Sequence, residues 1–506
     1  MTTSNIAWRL ACTVISCTAA FPQWAALGPF GGSASIVVTD PHSSRTVIAG
    51  TQNGLLFRST DSGSSWTPLP FPAQLRAILH TLAIDPQTPG IYLAGVSSDV
   101  PEYSGILRST DSGATWHQVP ALRNRQVRAI AFWRGNSQVI VAGTEIGVFQ
   151  SRDGGLNWRC ICPADDAQVQ PIVSLAIDPN DSDIIYAGTP HLPWRTTDGG
   201  ATWSSIHTGI LDDSDVFSIQ VDRNRPSRLF ASTCSGIYRS LNAGATWTRL
   251  KSAKDASDRT YTIVQDPQYE SVWFAGTTYG MMRSPDGGNT WEMINRRNTH
   301  AIAFDMGRLG RIFAATEQGI WRSDDGGRSW LEANHGFCSR SLEGLFAGLD
   351  GALYTSTVAD PGESRLFRLP LGANEWRLVQ TSDSRADREA TRQSSGASEP
   401  PLHVEEPQRV QEREESIDID GETIQAVSRH PSDPQWVMAA KFGAVFESQD
   451  GGRSWMKISP DSWPVTSVRK LLVMPESPRR LFVLTPQQGV FALTLHSNLV
   501  ARVAGK

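Results

Sequence analysis

The stretch Arg58-Ser59-Thr60-Asp61-Ser62-Gly63-Ser64-Ser65-Trp66 decides the fold, because the chain keeps returning to it. Ser109 to Trp116 repeats it, and further copies end in Trp158, Trp203, Trp247, Trp291, Trp330 and Trp455. The shared pattern is Ser-x-Asp-x-Gly-x-x-Trp. In the copy ending in Trp247, Asn242 replaces the Asp, and a worn copy ending in Trp376 has Leu371 there. Each copy lies between two short apolar runs, such as Leu55-Leu56-Phe57 before the first. Two short strands joined by Asp-x-Gly read as a hairpin. The acidic or amide side chain (Asp61, Asp111, Asp153, Asp198, Asn242, Asp286, Asp325, Asp450) can accept bonds from the turn's own N–H groups. The Gly supplies a positive-φ position. The Trp opens the next strand and buries a large ring between neighbouring sheets. Turn chemistry already requires an Asp and a Gly at this spacing, so these aspartates read as structural, neither metal ligands nor acid catalysts.

The repeat is longer than this motif. A first apolar run ends in Asp-Pro, as in Val37-Val38-Thr39-Asp40-Pro41 and Leu82-Ala83-Ile84-Asp85-Pro86. A second ends in Gly-Thr or a relative, as in Val47-Ile48-Ala49-Gly50-Thr51 and Phe274-Ala275-Gly276-Thr277. A third leads into the motif and a fourth starts at the Trp, giving four short strands per unit. Neighbouring motifs recur at roughly 39–50 residues, the period of four-stranded propeller blades. Strands this short are not stable alone, whereas stacked blades bury both faces and ring closure hides the edges.

The motif resembles the Asp box, or BNR repeat, of sialidases, sortilins, xyloglucanases and the photosystem II stability/assembly factor-like proteins. The resemblance covers nearly the whole chain, and in those families the box sits at the blade periphery, away from the binding face. First strands near Ile36, Leu82, Ala129, Leu175, Ile219, Ile263, Ala301, Leu345, Ala426 and Leu471 count ten units. The expected fold is therefore all-β, a single large β-propeller of about ten four-stranded blades. Sortilins set the precedent for ten; the assembly factor-like proteins have seven blades and xyloglucanases two rings of seven. The chain departs from sortilins in lacking a Cys-rich module after the ring. Two smaller propellers, as two rings of five, are the alternative.

The expected organisation is a signal peptide at 1–26, blades 1–8 at 28–380, a disordered charged insertion at 381–422, and blades 9–10 at 423–503. The insertion is rich in Ser, Glu, Arg and Gln and offers little apolar surface to offset ordering entropy. Only two units follow it, which favours one interrupted ring. At the amino terminus, Leu10 to Phe21 is too short to span a bilayer and reads as an export signal, with cleavage after Ala20. Val14-Ile15-Ser16-Cys17 resembles a bacterial lipobox, so a lipid anchor at Cys17 stands beside plain secretion, and absence of export is the third reading. The expected location is secreted, periplasmic or cell-envelope. Net charge is −5 over 506 residues with no basic block, which argues against nucleic-acid binding. Cys160, Cys162, Cys234 and Cys338 form no disulfide framework or zinc spacing. No cofactor or metal is implied, and a monomer is expected.

Function tends to sit on loops held by a rigid scaffold. In propellers the loops between second and third strands gather round the channel mouth. They offer a candidate ligand-binding rim of Gln52, Asn53, Tyr103, Trp194, Tyr279, Gln318, Lys441 and Phe442, suited to sugar or peptide. A hydrolase needs two carboxylates facing one bond. Xyloglucanases place a catalytic Asp in a Thr-Asp-x-Gly-Gly context; the matches here are Thr51-Gln52-Asn53-Gly54 and Thr144-Glu145-Ile146-Gly147. Gln52 cannot serve as a base. Glu145, Glu317 and Asp99 remain the catalytic candidates, with Glu145 and Glu317 nearly opposite one another in a ten-blade ring. The arginine cluster and Arg-Ile-Pro start of sialidases are missing. The favoured function is an exported, non-catalytic propeller that binds a protein or glycan or scaffolds an assembly. A glycoside hydrolase and an assembly factor for a membrane complex are the alternatives.

Overall fold

A computed structural model describes residues 25–495 apart from 73–76, 163–168, 212–213, 251–258, 349–350, 358–364, 380–423, 431–432, 442–443, 461–462, 464, 466 and 475–478. The described chain is all-β and forms ten antiparallel sheets of four strands each. These are the expected blades: 36–69, 78–118, 127–160, 174–205, 216–249, 260–295, 299–332, 342–378, 424–457, and 470–495 with the added strand Ala25–Gly28. Among the described residues no helix is long and apolar enough to cross a membrane.

The boxes build the blades as their chemistry predicts. In the first, the Asp61 carboxylate accepts from Ser59 Oγ and Ser65 N at 2.8 Å and from Ser65 Oγ at 2.6 Å. Ser59 Oγ accepts from Gly63 N at 2.8 Å. Gly63 has a φ of 80°, and a Cβ there would stand 2.8 Å from the Phe313 ring of blade 7. The box glycine is thus required twice, by the turn and by close approach to the adjacent blade.

That approach exposes a departure from the single ten-blade ring. Blade 1 packs on blade 7. Val37, Ala49, Phe57 and Trp66 share one core with Ala303, Phe313 and Ala315. Trp66 Nε1 donates to Ala333 O at 2.6 Å, just as Trp203 and Trp247 donate to Ile161 O and Ile206 O of their preceding blades at 2.8 and 2.6 Å. On the periphery, Arg322 Nη1 donates to the Ser62 carbonyl at 2.8 Å, as Arg195 does to Ala243 in the next blade. Shared cores also join each successive pair from blade 1 to blade 7. The first seven blades therefore close a ring of their own.

The other three blades form a second, open array. Blade 10 lies between the two others, sharing one core with blade 9 and another with blade 8. Among the described residues no core joins blade 8 to blade 9. The division is seven plus three, neither one ring of ten nor two of five. The two late blades join blade 8 instead, and among the described residues the three leave the array unclosed.

The first described strand belongs to the array. Ala25–Gly28 pairs with Val490–Leu495 as the outermost strand of blade 10. The chain then crosses to the ring, and leaves it beside its point of entry. Gly31 N donates to Phe337 O at 2.8 Å and Ser339 N to Gly31 O at 2.9 Å. Cys338 is buried at this junction, and burial pushes its thiol up to about 12. Ala25 and Ala26 are therefore blade residues, so a signal running to residue 26 would remove part of a strand. Cleavage after Ala20 would keep it. Cys17 and the insertion at 381–422 lie outside the described residues.

Candidate ligand-binding mouth of the seven-bladed ring

The first strands of the seven ring blades touch one another in succession and surround the axis. Most begin with an irregularity in pairing to the second strand. The register breaks between Leu79 and Thr81, Val127 and Ala129, Val216 and Ser218, Thr260 and Thr262, and Thr299 and Ala301. A bulge of this kind leaves one residue unpaired and re-aims its side chain. The unpaired residues are His80, Arg128, Phe217, Tyr261 and His300. Ser35 and Val173 hold the corresponding places in blades 1 and 4, with their N–H groups on Gly50 O and Gly188 O at 3.0 and 2.9 Å. All seven are half-buried and lie at the end of the blades that carries the second-to-third-strand turns.

Three of them form a continuous aromatic shelf across blades 5 to 7. Phe217 and Tyr261 have ring centroids 6.2 Å apart, and Tyr261 and His300 4.8 Å. Across the mouth, His80 Nε2 is 2.7 Å from Ser97 Oγ, and Arg128 Nη2 donates to Gln126 Oε1 at 3.1 Å. Burial and the Arg128 guanidinium hold His80 down at about 4, and burial lowers His300. Both imidazoles are therefore neutral at pH 7. The mouth presents aromatic faces and neutral donors, with Arg128 as the cation among the seven.

The carboxylate candidates serve turns. Glu145 Oε2 accepts from Gln126 N at 2.7 Å, and its other oxygen lies 3.4 Å from Arg125 Nη1. Glu317 Oε1 accepts from Asn298 Nδ2 at 2.6 Å and stands 3.9 Å from His300 Nε2. Each ties its own blade's turn to the segment entering that blade. They remain on blades 3 and 7, at least three blade steps apart in the seven-bladed ring. Asp99 is exposed beside the short 3-10 turn Pro101–Tyr103 of blade 2.

The rim residues divide. Gln52, Tyr279 and Gln318 are exposed and Tyr103 is half-buried on ring turns. Asn53 is exposed too, but its Nδ2 donates to Gln487 Oε1 of blade 10 at 2.6 Å, so it bridges the two bodies. Trp194 is not on the rim. It is 9% exposed, pairs with Ala187 and Ser205, and packs between blades 3 and 4 at the place Phe57 fills in blade 1. Lys441 belongs to blade 9 of the array, with its ammonium 5.9 Å from the Phe446 ring centroid. Phe442 lies outside the described residues. The boxes sit at the opposite blade ends, since successive antiparallel strands reverse direction. There hydrogen bonds from Thr115, Thr202 and Ser329 hold Asp111, Asp198 and Asp325 down at about 2.

Repeated Asp-box hairpins folded into four-stranded blades define a class, the Asp-box, or BNR, β-propellers, and this chain shares both its repeat and its fold. Within that class, residues 107–328 match the family described as photosynthesis system II assembly factor YCF48. A xyloglucanase from a Paenibacillus species is 29% identical over 140 residues, 22% of this chain and 13% of that protein. The chain thus meets only a small part of its curated relative. Two solved structures share the fold. The GH74 enzyme of Niastella koreensis is 17% identical, with a TM-score of 0.56 over 92% of this chain and 70% of its own. The GH74 xyloglucanase of Xanthomonas campestris is 16% identical, with a TM-score of 0.57 over 94% and 87%.

Proposed function

We propose that this protein is a non-catalytic binding propeller that holds a glycan segment at the mouth of its seven-bladed ring. The observation that carries the reading is the run Phe217–Tyr261–His300, three rings side by side at the inner edge of adjacent blades. Sugar rings present C–H faces that rest on aromatic surfaces, and neutral imidazole and phenol groups suit their hydroxyls. The engagement of Glu145 and Glu317 in turn bonds supports the non-catalytic part. A relative named as a xyloglucanase makes plant β-glucans the first ligands to try. An exported location, secreted or in the cell envelope, fits this reading, and fractionation of the native host tests it.

The experiment is a glycan array run beside a hydrolysis assay on the same polysaccharides. Binding without product release is expected, and Tyr261→Ala should weaken it about tenfold, the worth of roughly 1.4 kcal/mol. Release of sugars at ordinary enzymatic rates would overturn the non-catalytic reading and turn attention to Glu145, Glu317 and Asp99. Arg128 favours a second reading, a polypeptide ligand recognised through a carboxylate, which also suits an assembly role like that named for the matching family. Silence on the array, with a protein captured from the native envelope and lost on Arg128→Gln, would select it.

A further inference from the structure

We propose that two copies of this chain complete one six-bladed propeller between them, blade 8 of each copy packing on blade 9 of the other. Every blade in this fold has two distinct faces. One meets the blade before it and carries the box Trp; the other meets the blade after it. In the array the chain uses the preceding-side face of blade 8 and the following-side face of blade 9, both against blade 10. This leaves the two opposite halves of the same repeated interface without a blade against them.

The exposures at these two faces break the pattern set by the other blades. In blade 8, Tyr354 pairs with Arg368 as Val141 pairs with Gln150 in blade 3. Val141 and its counterparts Phe230, Phe274 and Phe313 are at most 1% exposed, whereas Tyr354 is half-buried. Phe346 on the same face is 57% exposed. In blade 9, Val427 occupies the place of Ile263 and Leu345, both fully buried, yet is 44% exposed. Phe446 beside it is half-buried, where Phe57, Tyr238, Met282 and Trp321 at the same place are buried. In the ring, the residues at the places of Phe346 and Val427 belong to one core: Val38 with Leu82, and Val264 with Ile302. The uncovered faces are therefore the two sides of a contact this chain already makes repeatedly.

A second copy supplies both missing sides at once. Three blades cannot close, but two sets of three give six, within the 4–8 of ordinary propellers. The order 9-10-8 followed by 9-10-8 closes under a two-fold axis, so the contact forms a closed dimer and no open fibre. The two seven-bladed rings would then sit on opposite sides of the shared ring, each presenting its own mouth. This replaces the monomer expected from sequence.

The test uses the full chain. Light scattering on the wild type at micromolar concentration should give twice the monomer mass. Phe346→Asp and Val427→Asp alter exposed positions, so each should fold with unchanged circular dichroism and run as a monomer. Differently tagged F346C and V427C chains, mixed and oxidised, should form a covalent pair that neither variant forms alone; those single-variant controls cover native Cys160, which is exposed. A monomeric wild type would overturn the proposal, as would a dimer that both Asp variants leave intact. A monomer that dimerises only after deletion of 381–422 would show that the chain covers its own faces, which also overturns it.

Discussion

One repeat, read from one grammar, lives in two situations here. In the ring, Phe274 at the middle of a second strand is 1% exposed, held between its own blade and the next. At the end of the array, Tyr354 occupies the same place and remains half open. The box tryptophans do not follow this contrast: Trp455 of blade 9 donates to Gly452 O of its own box at 3.0 Å, as Trp158 and Trp330 of the ring donate to Gly155 O and Gly327 O at 3.0 and 3.1 Å. Blade stability is thus mostly a property of the interface, as expected where each repeat contacts only its neighbours. The ring gives every blade two such interfaces; the array gives two of its three blades only one.

The largest expected effect follows directly. Trp203→Ala should destabilise the ring by about 3–5 kcal/mol, the range for truncating a buried aromatic. Trp455→Ala, which truncates a half-buried ring, should cost less than half of that. Urea denaturation followed by tryptophan fluorescence and by circular dichroism separates the two. Equal losses would mean that blade 9 is covered in solution, and would join the dimer mass as support for a partner at that face. A related outcome concerns order of unfolding: amide exchange should be fastest in blades 8 and 9 of a monomeric variant such as Val427→Asp, and slowest in the ring.

A second effect belongs to the ring mouth alone. His80 has a folded pKa near 4 against an ordinary value of 6.5, lowered by burial and by Arg128. As pH falls, the unfolded chain takes up that proton first, so stability declines between about pH 6.5 and 4 and the loss is complete below that. The magnitude is on the order of 1–3 kcal/mol for a shift of this size in a partly covered group. His80→Phe should flatten the slope in that window, while Arg128→Gln should raise the His80 pKa, readable from its imidazole resonances. An unaltered slope in His80→Phe would place the acid response elsewhere, His300 being next.

These contrasts mark what was legible in the sequence. Ten blades and their strands could be counted because the Asp, Gly and Trp of each box act within a few residues of one another. The division into seven and three could not, since blade 8 obeys the same strand grammar as blade 1; only the side chains that meet across an interface, such as Gly63 with Phe313, distinguish a closing blade from a continuing one. The mouth was missed for a different reason. The turns are the expected seat of function, whereas Arg128, Phe217, Tyr261 and His300 stand within the first strand, each flanked on its amino-terminal side by a buried residue. Phe217, Tyr261 and His300 stand at a constant offset ahead of Asp222, Asp266 and Asp305, the aspartates that close their first strands, and that spacing was a usable signal. So was the match of Trp194-Arg195-Thr196 to Phe57-Arg58-Ser59, which puts Trp194 in the core.

The smallest effect sharpens the comparison within the boxes themselves. The chain already contains the experiment: Asn242 replaces Asp in blade 5, and its Oδ1 still accepts from Ser240 Oγ and Thr246 N at 2.9 Å while its Nδ2 donates to Thr246 Oγ1 at 2.9 Å. The amide reproduces the turn without the charge. Asp198→Asn should therefore leave the melting temperature at pH 7 nearly unchanged. It should act only in acid. Asp198 is held at about 2 by its bonds to Thr202 and Thr196, below the usual 3.8, so its ionised form supports the folded state above pH 3.8 and that support is lost as pH falls towards 2. The variant should lose this increment of the acid limb, and combining it with Asp111→Asn and Asp325→Asn should make the reduction additive, since the boxes lie on separate blades. A large loss at pH 7 would mean that the box needs its charge, and that blade 5 tolerates Asn242 only through a neighbour the other boxes lack.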